Sequence, residues 1–289
     1  MHTFVTKIDE SHPANPKPLY KTHKKDENGK IKNPCPIRNV TAACGTPIAN
    51  LAKLMQCCIS HLTSKELLPL RTSSTNEVLK RIIEMNDKHA PFDENAKLVF
   101  PDITAMYPNA DVEEAIAIIG ELLNKYPTKY GLSTESIVKA LRLCQALNCV
   151  QFRDRFYLPC RGCAMGPAHG CDLTDIWVGP IAEKQSKNCP VGVDFSIYRD
   201  DGLDVLKNGD ADLPAFVDHL ESLHPNLSWE TVCGKEGPYL DLWLKLENGR
   251  IESRVYSKSD PIYLHPSSCH DTAVFKGIIE TELLKRRGF

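Results

Sequence analysis

No stretch of this sequence approaches the roughly 18 consecutive apolar residues of a membrane-spanning helix, which argues against a helical membrane protein and a membrane partner. The opening residues Met1-His2-Thr3-Phe4-Val5-Thr6-Lys7 lack the apolar segment of a secretion signal. Both absences point to a soluble intracellular protein. An excess of one charge is missing too: 35 Lys and Arg stand against 37 Asp and Glu, a formal net charge of -2. That excludes a uniformly basic nucleic-acid-binding domain. It leaves room for local basic patches, and Lys17, Lys21, Lys24, Lys25, Lys30, Lys32 and Arg38 cluster near the start, with Lys285-Arg286-Arg287 near the end. A protein that keeps acids at one site and bases along another can handle a polyanion at near-zero net charge.

Cysteine, by contrast, is plentiful at 12 residues. Without a secretion signal these read as reduced and mostly buried thiols. Cys160-Arg161-Gly162-Cys163 has metal-ligand spacing, with His169 and Cys171 close by, but a second, equally spaced pair is missing. A zinc module on these four residues therefore stays open only as an alternative. His265 with Cys269-His270 reads as a packed loop.

The stretch with the clearest chemistry is Ile197-Tyr198-Arg199-Asp200-Asp201-Gly202-Leu203. Residues 191–196 before it alternate apolar and polar, and Leu203-Asp204-Val205-Leu206 follows. Strand, two-residue turn, strand is the reading, with Asp-Asp or Asp-Gly at the tip. Acidic residues are poor strand formers. A carboxylate pair on a rigid turn suits a hard divalent cation, and a solvated acidic turn is the bland alternative. A second apolar run, Lys97-Leu98-Val99-Phe100-Pro101, ends at Asp102. A strand delivering Asp102 beside that tip makes a three-carboxylate cluster. Two Mg²⁺ ions (or Mn²⁺) shared by such a cluster is the arrangement of in-line phosphoryl transfer.

Between and around these segments the pattern is helical and strand-like by turns. Residues 46–59, with Pro47 in the expected first turn, and 75–85, with Thr75 as the expected cap, carry apolar stripes. Residues 111–126 and 133–150 read as amphipathic helices. Residues 151–158 alternate like a strand pair, the glycine-rich 161–167 turns into a helix over 171–183, and 213–223 is helical. Residues 227–232 and 239–246 read as strands, and 251–256 returns from a turn at Glu247-Asn248-Gly249-Arg250. Helices packed on an antiparallel sheet imply an α+β fold.

Asp102-x-x-x-x-Tyr107, then Gly162-Cys163-Ala164-Met165-Gly166-Pro167, then Tyr198-Arg199-Asp200-Asp201 resemble the A, B and C motifs of reverse transcriptases. Pro18-Leu19-Tyr20-Lys21-Thr22-His23-Lys24, Tyr239-Leu240-Asp241, and the run from Val255-Tyr256-Ser257-Lys258 to Ser268-Cys269-His270 resemble Penelope-like retroelements. The resemblance covers nearly the whole chain. It implies a right-hand polymerase with fingers and palm and the thumb largely missing: about 1–95 mainly fingers, 96–256 mainly palm with helical insertions, 257–289 the palm end and a truncated thumb starting near Phe275. It implies RNA-directed DNA polymerase activity on an RNA template, a DNA primer and deoxynucleoside triphosphates, with nuclear residence. Asp102, Asp200 and Asp201 become catalytic and metal-binding. Lys21, Lys24, Arg38, Tyr107, Gly162, Met165 and Gly166 become nucleotide-binding, with Tyr107 excluding a 2′-hydroxyl, and Tyr198, Asp241 and Lys258 become supporting residues. The sequence departs from the family where Arg38 is displaced by three positions, where Cys160 and Cys163 replace Gln and Thr, and where Asp172 and Asp175 make the following helix acidic. A non-catalytic remnant that keeps the palm and binds RNA is the alternative these departures leave open.

Overall fold

Asn15–Tyr20 (β1) and Ile37–Ala42 (β2) pair antiparallel in register from Asn15↔Ala42 to Tyr20↔Ile37. Pro16 and Pro18 are tolerated because a two-stranded ribbon consists of edges. The computed structural model describes residues 12–20, 30, 33–34, 37–257, 264–265 and 267–287. Helices Ala49–Ile59 (α1) and Thr75–His89 (α2) follow, joined in part by the 3-10 turn Ser60–Thr63. Pro47 stands outside α1. Ser74, one residue before the expected cap, accepts the Glu77 N–H and caps α2, and Thr75 is its first helical residue.

Lys97–Ile103 (β3) leads through Met106–Asn109 (α3) to Val112–Lys125 (α4) and Thr134–Ala146 (α5), which pack on each other. Asp111 and Ser133 cap them by accepting from Glu114 and Ser136 N–H groups. Val150–Phe152 (β4) and Arg155–Tyr157 (β5) form a small hairpin. It is bonded to the start of the chain, with Ala14 N–H donating to Cys149 O at 3.1 Å and Gln151 N–H to Ala14 O at 2.8 Å.

Gly170–Asn188 (α6) is buried on nearly every side, through Leu173, Ile176, Trp177, Val178 and Ile181. Ser196–Tyr198 (β6), Asp201–Leu206 (β7) and Trp229–Gly234 (β8) complete with β3 a four-stranded sheet in the order β6-β7-β3-β8, and Leu213–Ser222 (α7) lies between β7 and β8 in the chain. Glu236–Tyr239 (β9), Leu242–Glu247 (β10) and Arg250–Val255 (β11) form a three-stranded sheet, and Thr272–Arg287 (α8) closes the described chain. Residues 239–246 are therefore two strands: Leu240, at φ 54°, turns the chain between β9 and β10.

The four-stranded sheet is the middle layer. Val99, Ile103, Leu206 and Trp229 face a core built with α1, α4, α5 and α6. Leu98, Leu203 and Val205 face a second core with Val78, Ile82 and Met85 of α2 and Leu242, Leu244 and Ile251 of the three-stranded sheet. Among the described residues no helix is long and apolar enough to cross a membrane.

Candidate active site

Register decides the hairpin. Ser196↔Leu203, Ile197↔Gly202 and Tyr198↔Asp201 pair, so the tip is Arg199-Asp200. The expected Asp-Asp tip is corrected by one residue and the Asp-Gly tip by two, and Asp201 is the first residue of β7. Arg199 has φ 58° and Asp200 stays out of the left-handed region. A left-handed first residue gives a two-residue turn whose twist fits the strands, at a cost of about 1–2 kcal/mol for a residue with a Cβ.

β3 delivers Asp102 to that tip. Asp102 and Asp201 are direct cross-strand partners, and Ile103 N–H donates to Asp200 O at 2.9 Å. With the neighbouring Ile103/Asp200 pair hydrogen-bonded, Asp102/Asp201 is of the closer, non-hydrogen-bonded type, its two side chains on one face. Asp102, Asp200 and Asp201 are all half-buried. Glu230, on the other side of β3, pairs directly with Asp102. It adds a fourth carboxylate to the row, which sequence reasoning missed because the β3–β8 register is not visible locally. Tyr239, buried in the second core, donates its hydroxyl to Asp201 O at 3.0 Å. The oxygen-only donor set suits a hard cation. Among the described residues, however, no three His, Cys, Asp or Glu side chains are grouped closely enough to hold a metal ion.

Tyr107 sits on α3, half-buried against the first core, and its hydroxyl donates to Cys171 Sγ at 3.2 Å. Burial, then this bond, raises its pKa. The glycine-rich loop packs directly on this element. Cys163 N–H donates to Tyr107 O at 2.7 Å, and Thr41 N–H of β2 donates to Met165 O at 2.7 Å. Gly162, at φ 75°, and Gly166, at φ 132°, are required there: a Cβ would lie 2.3 Å from Pro108 O and 1.9 Å from Thr41 O. The loop thus brings Tyr107, Gly162, Met165 and Gly166 together and ties them to β2.

The acids of α6 turn inward. Asp175 Oδ2 accepts from Arg71 Nε at 2.7 Å and from Arg199 Nη1 at 2.5 Å. Burial works against the Arg199 charge, but Asp175 and Cys171 outweigh it and raise its pKa. Asp172 is buried beside them, and burial, reinforced by Asp175, raises its carboxyl pKa. The sequence marked α6 as acidic but held no signal for the arginines that answer it, since Arg71 lies 104 residues from Asp175.

The remaining expected residues scatter. Tyr198 ends β6 opposite Asp201. Asp241 lies in the β9–β10 turn, accepting from Thr75 Oγ1 at 3.4 Å. The Arg38 backbone pairs with Leu19 in the β1–β2 ribbon. Lys21, Lys24 and Lys258 lie outside the described residues. The zinc alternative is not supported: Cys163 is buried with its Sγ 3.9 Å from Gly170 O, and Cys171 is engaged by Tyr107. Burial pushes the Cys163 thiol up to about 12, so it resists the deprotonation that zinc ligation needs.

No protein-family model matches the chain, and no curated protein matches it. Solved structures do match. Apo telomerase from Candida Tropicalis, truncated from its C-terminal domain, superposes with a TM-score of 0.57 at 12% identity, over 86% of this chain and 56% of that one. The fold is a reverse-transcriptase-like polymerase fold. Candida Tropicalis telomerase in complex with a TWJ fragment of telomeric RNA gives 0.60 at 11% identity, over 96% of this chain and 49% of that one. The RNA-dependent RNA polymerase of a human picorbirnavirus gives 0.52 at 13% identity, over 85% and 47%. The chain spans about half the length of these polymerases, and the shared part is of palm and fingers type.

Proposed function

We propose that the chain is the RNA-directed DNA polymerase core of a Penelope-like retroelement, a nuclear enzyme extending a primer 3′-hydroxyl along an RNA template. The observation that carries this reading is the direct pairing of Asp102 with Asp201 beside the Asp200 tip, within a polymerase fold. Asp102 and Asp200 would hold two Mg²⁺ or Mn²⁺ ions, with Asp201 supporting them. Two carboxylates directly opposite on one sheet face repel, and a divalent cation bound there would offset that repulsion. The bound ions would supply polarisation of the attacking hydroxyl and charge neutralisation at the leaving oxygen.

Residues 1–95 serve mainly as fingers, 96–256 mainly as palm, and 257–289 as the palm end and the start of a thumb. Lys21, Lys24 and Arg38 meet the phosphates of the incoming deoxynucleoside triphosphate. Tyr107 packs under its sugar and excludes a 2′-hydroxyl, while Gly162, Met165 and Gly166 let the backbone approach the new base pair. Tyr198, Asp241 and Lys258 support the site from the strands around it.

The β4–β5 hairpin supports single-stranded nucleic acid as partner. Phe152 is 53% and Tyr157 49% exposed. With Arg155 they share one face of the hairpin, and the Arg153 guanidinium lies 5.4 Å from the centre of the Phe152 ring. Exposed rings interleaved with arginine are the stacking platform that bases and phosphates fit.

The decisive test is single-nucleotide incorporation on a primed RNA template with Mg²⁺ or Mn²⁺. Asp200→Ala is expected to lower the rate by on the order of 10³-fold; undiminished extension would remove Asp200 from the site. A second reading, a palm that binds RNA without catalysis, draws on the side chains of the three aspartates, which do not close into a cage. Wild-type protein that binds RNA and incorporates nothing would decide for it.

A further inference from the structure

We infer that Arg199 is a positioning residue: through Asp175 it ties the tip of the β6–β7 turn to α6 and so sets where Asp200 presents its carboxylate. The inference rests on the reading of Asp200 as a metal ligand.

Arg199 occupies the turn position that glycine fills most easily, with φ 58°. A long cationic side chain at a strained position needs an interaction that outweighs the strain, and one is present. Arg199 Nη1 donates to Asp175 Oδ2 at 2.5 Å and to Cys171 O at 3.1 Å. The Asp175 side chain is only 1% exposed. Charge-assisted hydrogen bonds are strengthened where water is excluded.

Asp175 is itself a fixed anchor. Arg71 Nε holds the same carboxylate oxygen at 2.7 Å. The segment carrying Arg71 is bonded along β6, with Ile197 N–H donating to Leu70 O at 2.9 Å and Thr72 N–H to Ile197 O at 2.8 Å. The β6 arm of the hairpin and its tip are therefore both clamped to one carboxylate oxygen. Asp200 follows Arg199 directly, and its carbonyl accepts from Ile103 N–H. With both ends of its backbone pinned, what remains free is side-chain rotation.

The same turn of α6 also holds Tyr107, whose hydroxyl donates to Cys171 Sγ. The metal-binding tip and the residue that packs under the sugar thus share one support. Geometry at such a centre is unforgiving, since a misplacement of about 1 Å costs roughly 10²-fold in rate.

The test pairs one metal-free and one metal-sensitive readout on Arg199→Gly, Asp175→Asn and Arg199→Lys. Glycine keeps the left-handed turn, without its steric cost, and removes the tether. Hydrogen exchange without metal should speed about tenfold in the 196–206 peptide for Arg199→Gly and Asp175→Asn, with β10 and β11 unchanged. Mn²⁺ binding, followed by electron paramagnetic resonance, should weaken about tenfold in parallel, and Arg199→Lys should recover part of it. Wild-type exchange and wild-type Mn²⁺ affinity in both variants would overturn the inference. A uniform rise in exchange across the whole molecule would overturn it too, as the mark of a merely structural pair. A wild type that takes up no Mn²⁺ ends the metal reading of Asp200, and with it the presentation of a ligand by Arg199; the exchange result then speaks only for the tether.

Discussion

His169 and Asp204 are the interior residues whose protonation burial moves furthest within the ordinary pH range, and they pull stability in opposite directions. Burial lowers the His169 pKa from 6.5 to about 4. The unfolded chain therefore binds the proton first, and stability is lost as pH falls from about 6.5 toward 4. Burial raises the Asp204 pKa from 3.8 to about 6, against the pull of its bonds from Asp194, Val205 and Val193 N–H groups. Here the folded state binds the proton first, so stability is gained as pH falls from about 6 toward 3.8 and lost as pH rises through 6. Each shift is worth about 3 kcal/mol, so the two nearly cancel in the wild type. Removing one exposes the other. Urea unfolding from pH 4 to pH 7 should show Asp204→Asn losing stability toward acid relative to wild type, and His169→Gln gaining it. Profiles that stay parallel to wild type would refute the assignment.

Among the elements, the glycine-rich loop and the β4–β5 hairpin make separable predictions. Gly166→Ala forces a Cβ to within 1.9 Å of Thr41 O at φ 132°. It should cost about 3 kcal/mol, read as a lower midpoint in denaturant. On the hairpin, Phe152→Ala and Tyr157→Ala should each weaken binding of single-stranded RNA about tenfold. Phe156, on the opposite face by register, should matter less; equal losses for all three would contradict a one-faced platform. The strand that carries Asp102 and the two that flank Asp200 were legible because apolar alternation and turn chemistry are local. What was illegible had physical reasons. Buried on nearly every side, α6 carries no stripe to mark its end, and it runs to Asn188 rather than 183. Leu240 turns left-handed with a side chain that gives no turn signal, so β9 and β10 read as one strand. The Arg71–Asp175–Arg199 network and the Asp102/Glu230 pairing depend on register and packing between distant segments, which local patterns do not encode.

At the scale of the whole molecule, near-zero net charge means that affinity for a polyanion must come from local patches. If Arg153, Arg155 and Arg161 each meet one phosphate, single-stranded RNA binding should fall about 20-fold between 50 and 200 mM salt. A fluorescence anisotropy titration with no salt dependence would exclude them as the contact. The order β6-β7-β3-β8 has one more consequence. Both partners of β3 are made after it, so during synthesis this apolar strand waits with two open edges while the helices between are completed. Non-local pairing of that kind is slow to form, and an unpaired hydrophobic edge invites association with other chains. Pro101 lies inside β3 and lacks the N–H that would face Gly202. The ladder gives up a hydrogen bond at that point in the folded state; in the nascent chain the same gap makes β3 a poorer template for another copy of itself.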